Sequence, residues 1–243
     1  MSVTLHQVDS IKGLRLAGWL LVVVPLLSLL VLAHHPTIAA HDAHEAASQL
    51  GAIAAFAGIV HGTLIAMQCA LLYALLTWLV SRGLWHALPR AAAMMLVLGA
   101  VGVIGAALID GFMVARVATF PHDGDPDLHI MDQLMRYSMS LNQVLIVAGE
   151  SAMSVGFACL SVDLLGLRGG ARWVGLFGLV LGIASLIALL TGRLVLHLHG
   201  MQWLFAAQSV WMICLGVVML RTSAAAHQQQ LGMGGANHID AVN

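Results

Sequence analysis

The chain has 243 residues, of which 60% are hydrophobic and only 9% are charged, with a net charge of −1. Soluble domains carry about 25% charged residues, so this composition excludes an ordinary soluble domain and predicts an integral membrane protein surrounded by lipid. The near-neutral charge argues against nucleic acid as a partner. The three cysteines lie in separate apolar runs, which predicts neither a disulfide framework nor a cysteine metal site.

Six segments are apolar and long enough to cross a bilayer, which takes about 20 helical residues. The N-terminal run is interpreted as the first span and not as a cleaved signal peptide. The alternation typical of barrel strands is missing, so the predicted fold class is all-α, a polytopic membrane bundle of about six transmembrane helices. The second span exceeds the bilayer thickness and should tilt or begin above the membrane. The spans are approximately 14–33, 49–80, 91–118, 138–164, 173–196 and 201–220.

The connections between these spans alternate in charge. Because basic residues mark the cytoplasmic side, both termini are expected in the cytoplasm, and the predicted location is a bacterial inner membrane. Residues 1–222 should form one transmembrane domain, and the polar stretch 223–243 should be a disordered cytoplasmic tail. The basic residues are Lys12, Arg15, Arg82, Arg90, Arg168, Arg172 and Arg221, and the opposing acids are Asp42, Glu45, Asp123, Asp125, Asp127 and Asp132.

Three ionisable residues interrupt the spans: His61 in the second, Asp110 in the third and Glu150 in the fourth. Such groups are costly inside a membrane and mark candidate functional sites. Counting helical residues places all three about 13 to 18 Å below the outer surface. We therefore expect a polar, periplasm-facing cavity with these three side chains at its floor. A hydrogen-bonded knot that only fixes helix packing is the alternative.

Eight of the 13 histidines fall at the predicted outer face. Imidazole suits Zn and Cu, so these histidines and the three groups in the spans predict a transition-metal site. A merely polar outer surface would explain the outer histidines without a metal. The candidate ligands are His61, Asp110, Glu150, His41, His44, His122, His129, His197 and His199. The candidate substrate-binding or counter-charge groups are Arg193, Arg116 and Asn142.

The favoured function is a membrane protein that binds a divalent or transition metal, with Zn or Cu expected. An enzyme acting on a lipid-borne substrate would use Glu150 or Asp110 as the general base beside a metal-activated water. The zinc motif HExxH is missing from the sequence. The alternatives are a proton-coupled small transporter and a non-catalytic sensor or subunit of a membrane complex. A homo-oligomer is compatible with each of these functions.

A haem-binding electron-transfer bundle is a further alternative, because two histidines on facing helices can serve as axial ligands. His61 is expected to have no histidine partner at its own depth. The remaining pairs would combine His34 or His35 with His197 or His199 near the outer surface. Haem therefore ranks below a simple metal ion.

Overall fold

The structure is a computed structural model that describes residues 2–35, 43–118, 128–194, 196 and 198–239. All regular elements in these ranges are helical, which confirms the predicted all-α class. A π-helical turn, Ile109–Met113, joins the third helix to the fourth without a break. The helices are α1 (Ser2–Ala33), α2 (Ala43–Arg82), α3 (Ala87–Leu108), α4 (Val114–Ala118), α5 (Leu128–Leu165), α6 (Gly170–Leu190) and α7 (Leu198–Ile239).

Six segments of these helices are long and apolar enough to cross a membrane, which confirms the predicted number. The third combines α3, the π turn and most of α4. Helix α2 has 40 residues and is about 60 Å long, roughly twice the hydrocarbon thickness, as the sequence indicates. The segments are Ile11–Ala33, Gly51–Arg82, Ala87–Val117, Gln133–Leu165, Gly170–Leu190 and Gly200–Gln228.

Helix α5 packs closely against α3 because glycines remove the side chains between the two backbones. A Cβ atom at Gly102 would lie 2.7 Å from the Cα atom of Gly149, and one at Gly99 would lie 2.9 Å from the carbonyl oxygen of Gly149. Small residues allow helices in membranes to approach in this way. Glu150, which follows Gly149, is therefore held at a tightly packed helix crossing.

Glycines of α6 make a similar contact on another part of α5. A Cβ atom at Gly182 would lie 2.6 Å from the carbonyl oxygen of Ser154, and one at Gly175 would lie 2.8 Å from that of Ser161. Small residues again allow the two helices to approach closely. Helix α5 is fixed between two neighbours, and its buried polar side chains are presented at defined positions.

Helix α7 extends beyond the last predicted span. Residues 223–239 continue the helix as far as Ile239, and the disordered tail expected from the polar composition of 223–243 stays a prediction. Residues 223–231 read SAAAHQQQL, and Ala, Gln and Leu are strong helix formers without a proline to stop them. This segment is therefore polar in composition, yet its residues have a high intrinsic helix propensity.

Candidate metal centre

His61 is fixed in one orientation by the helix that carries it. Its side chain is buried on α2, and Nδ1 lies 2.8 Å from the carbonyl oxygen of Ala57, one turn earlier. A carbonyl can only accept, so the Nδ1–H donates to it. In the neutral ring the lone pair is then on Nε2. Histidine ligands of metals are commonly oriented by such a hydrogen bond.

Asp110 lies in the π turn that interrupts the third span. The amide of Val114 donates to the carbonyl oxygen of Ile109, five residues earlier, and this bond defines the wider turn. Gly111 stands against the side chain of His61, with no room for a Cβ atom between them. The close approach brings Oδ2 of Asp110 to 3.1 Å from Nε2 of His61. Single π turns inside α-helices frequently occur at functional sites.

His35 completes a group of three candidate ligands from three different parts of the chain. It follows the last turn of α1, and its amide donates to the carbonyl oxygen of Leu32 at 3.2 Å. Its Nε2 lies 3.1 Å from Nε2 of His61 and 3.8 Å from Oδ2 of Asp110. The two imidazole rings meet edge to face at 78°.

These three atoms have the spacing of a metal coordination shell. A triangle with sides of 3.1, 3.1 and 3.8 Å has its centre about 2.0 Å from each corner. Zinc binds histidine nitrogen at about 2.0–2.1 Å and carboxylate oxygen at about 2.0–2.2 Å. One ion of this kind would therefore reach all three ligand atoms with little movement of the side chains.

The ligand atoms face a cavity of about 190 Å³ between α1, α2, α3, α5 and α7. Its wall is mostly aliphatic, and not generally polar as the sequence suggested. The predicted residue Asn142 is part of this wall. The other polar residues on it are Ser28, His35, His61, Gln68, Asp110 and Gln143. An ion bound to three protein ligands here would keep a free coordination position, as in catalytic metal sites.

Glu150 is not part of this group, although its predicted depth is similar. Its side chain is only 2% exposed and is not among the residues that line the cavity. Its Oε2 accepts a hydrogen bond of 2.8 Å from the amide of Gln208 on α7. Of the three intramembrane groups predicted to lie together, the structure joins His61 to Asp110 and gives Glu150 a separate buried partner.

The predicted cationic residues lie away from the ligand atoms. Arg193 is exposed in the turn after α6, and Arg116 is exposed on α4, in a shallow depression beside Gly58. Neither lines the cavity. Their role as counter-charges for the metal ligands or for a substrate stays a prediction.

The predicted outer histidines fall largely outside the described residues. His41, His122 and His197 lie outside the described ranges. His44, His129 and His199 lie in helices, but their side chains are outside the described part of the chain. Metal binding by these six histidines stays a prediction.

The expectation that His61 has no histidine partner at its depth is wrong, because His35 reaches it from the end of α1. The sequence does carry one signal. Pro36 disfavours helical backbone at the residue before it, so α1 should end near His35 and could turn that side chain toward the bundle. Sequence analysis also missed Gln208 as the partner of Glu150.

No protein-family model, no curated protein and no solved structure matches the chain. The functional interpretation therefore rests on the chemistry and the geometry of the site.

Proposed function

We propose that this chain is a multi-pass membrane protein that binds one divalent transition-metal ion through His35, His61 and Asp110. The observation that carries the proposal is the spacing of the three ligand atoms, which surround a point about 2.0 Å from each. Two imidazoles with one carboxylate suit Zn or Cu better than Ca or Mg, which prefer oxygen ligands. Zinc is the first choice because it accepts this ligand set and leaves a fourth position open.

The surroundings of the three candidate ligands support a site whose metal ion can be exchanged or can take part in catalysis. The hydrogen bond from His61 to Ala57 would hold one ligand in place before the ion arrives. The free coordination position would face the cavity, where a bound water or a substrate could occupy it. A reaction on a lipid-borne molecule would use the ion as a Lewis acid. Asp110 would then be a ligand, and Glu150 would act through packing.

We further propose that the site lies in the outer half of a bacterial inner membrane, with both chain termini in the cytoplasm. The helix ends at the other end of the bundle carry Arg82, Arg90 and Arg172, which the positive-inside rule assigns to the cytoplasm. At that same end, Trp85 and Trp173 are strongly exposed, as is typical of side chains at the headgroup level.

Haem is the weaker interpretation of the same histidine pair. Two axial histidines bind on opposite faces of a porphyrin. Here, however, the carboxylate of Asp110 lies 3.1 Å from the Nε2 atom that would bind the iron. The carboxylate therefore occupies space that the porphyrin ring would need. The same position is suitable for a third ligand to a single ion.

The test is the metal content of protein purified in detergent without a polyhistidine tag or chelator. We expect about one Zn or Cu per chain by mass spectrometry and no Soret band. His61→Ala should lose the metal. His86→Ala, which changes an exposed histidine at the start of α3, should keep it. Folded wild-type protein that stays metal-free after incubation with Zn and Cu would overturn the proposal, and a Soret band would favour haem.

A further inference from the structure

The cavity beside the metal ligands has the size of one substituted ring. Its volume is about 190 Å³, and a dry cavity of about 150 Å³ in another protein holds benzene. Aliphatic and aromatic side chains such as Leu64, Ile104 and Phe205 form most of the wall. Such a wall suits an apolar ring, and the polar residues on it can bind the polar groups of the same molecule.

The cavity has a polar group at a second position, away from the metal ligands. Gln68 lies on α2 seven residues after His61, about 10 Å further along the same helix, and both side chains line the cavity. The apolar residues Leu64 and Ile65 lie between them on the same wall. A ligand that reaches both positions therefore needs two polar ends and an apolar middle.

The side-chain amide of Gln68 forms no hydrogen bond to another residue of the described part of the chain. The residue is only 6% exposed. A buried amide without a partner is costly. Because this amide faces the cavity, a polar group of a bound molecule would satisfy it.

We propose that the cavity binds a single-ring hydroxyarene of the quinol class. One ring oxygen binds the open position of the metal held by His35, His61 and Asp110. The ring packs against the aliphatic wall. The oxygen on the opposite side of the ring forms a hydrogen bond with the side-chain amide of Gln68. This inference rests on the proposed metal site, because the ion supplies the contact at one end.

The test uses Co(II) in place of the native ion, because its visible absorption responds to a change of ligand. The probes are hydroquinone, which has two hydroxyl groups, phenol, which has one, and toluene, which has none. The measurements are made without oxygen on the full chain in detergent. We expect hydroquinone and phenol to shift the cobalt spectrum with saturation, and toluene to leave it unchanged.

Two variants test the contact with Gln68 and the need for an open cavity. Gln68→Leu should weaken hydroquinone binding about five- to tenfold, as for a lost hydrogen bond. It should change phenol binding less than twofold, because phenol can place its only hydroxyl group on the metal. Leu64→Trp should fill the cavity and abolish binding of both probes while Co(II) remains bound. Leu64 suits this test because it lines the wall without being a candidate metal ligand.

Each negative result overturns a different part of the proposal. If wild-type protein binds no Co(II), both the metal site and this inference are overturned. If Co(II) binds but neither hydroxyarene shifts its spectrum, the inference is overturned and the metal site stands. If Gln68→Leu weakens hydroquinone and phenol equally, binding between two polar ends is overturned.

Discussion

Gly111 lies directly against the imidazole of His61, and the structure leaves no room there for even a single methyl group. This contact joins the π turn to α2 at the point where the candidate ligands meet. Asp110 precedes Gly111, so the position of its carboxylate depends on how closely the two backbones approach. The glycine therefore positions two candidate ligands, although it has no side chain of its own to bind an ion.

Gly111→Ala should lower metal affinity without removing any ligand atom. The added methyl group would displace the imidazole of His61, and changes of this indirect kind typically cost about 10- to 100-fold in metal affinity. Gly62→Ala is the matched control, because its new Cβ atom would meet its nearest neighbour, Phe112, at an ordinary 3.6 Å. Titration against a chromophoric chelator measures both affinities. Equal affinities of the two variants would contradict this role of Gly111.

His34 and His35 are adjacent in sequence but should differ in function. His35 Nε2 lies 3.1 Å from His61, whereas His34 is exposed and its Nδ1 lies 2.9 Å from the carbonyl oxygen of Leu30. We expect His35→Ala to reduce Zn or Co(II) affinity by at least tenfold, and His34→Ala to change it less than twofold. Isothermal titration of the two variants provides the measurement. Equal losses would mean that the histidines only attract cations to the outer surface.

Substitutions at Asp110 and in the Glu150–Gln208 pair should affect different properties, namely metal binding and thermal stability. Asp110→Asn removes a charged ligand and should lower metal content strongly with little change in melting temperature. Gln208→Leu leaves the buried carboxyl group of Glu150 without its partner, at a cost of about 1–3 kcal/mol, and should leave metal content unchanged. Metal analysis and thermal unfolding are run on the same samples. Loss of metal in Gln208→Leu would show that Glu150 takes part in the site.

The sequence was sufficient to predict the helical fold and two of the three candidate ligands. The lengths of the apolar runs set the number of spans, and the cost of ionisable groups in lipid drew attention to His61 and Asp110. Counting residues along each span predicted a similar depth for these two residues and for Glu150. Depth alone does not show which way a helix is rotated about its axis. The sequence therefore could not show that the side chain of Glu150 lies apart from those of His61 and Asp110. Its direction depends on the contact between Gly102 and Gly149.

The remaining candidate ligand and the local backbone could not be predicted in this way. His35 lies after a helix end, where no periodicity defines the direction of a side chain. The π turn at Ile109–Met113 depends on packing against α2, and its sequence, IDGFM, contains no recognised signal for an extra residue per turn. A helical wheel drawn with 3.6 residues per turn therefore assigns the residues after Ile109 to the wrong positions around the helix axis.

The two ends of the bundle should differ in accessibility if the proposed orientation is correct. Ser48 is exposed near the start of α2, and Trp85 is exposed in the connection after it. In a chain whose three native cysteines are replaced by alanine, an impermeant maleimide should label Ser48→Cys in intact cells. It should label Trp85→Cys only after the membrane is opened. The reverse pattern would place the candidate metal site on the cytoplasmic side.

Metal affinity should decrease as the pH falls, because protons compete for the same imidazole nitrogens. Only the neutral form of an imidazole binds a metal. Affinity should thus fall by up to about 100-fold per pH unit at low pH, where two histidines must each release a proton. In His35→Ala the limiting slope should halve on a logarithmic scale, since one imidazole remains. Co(II) titrations between pH 5 and 8 measure both slopes, and an affinity independent of pH would mean that neither His35 nor His61 binds the ion.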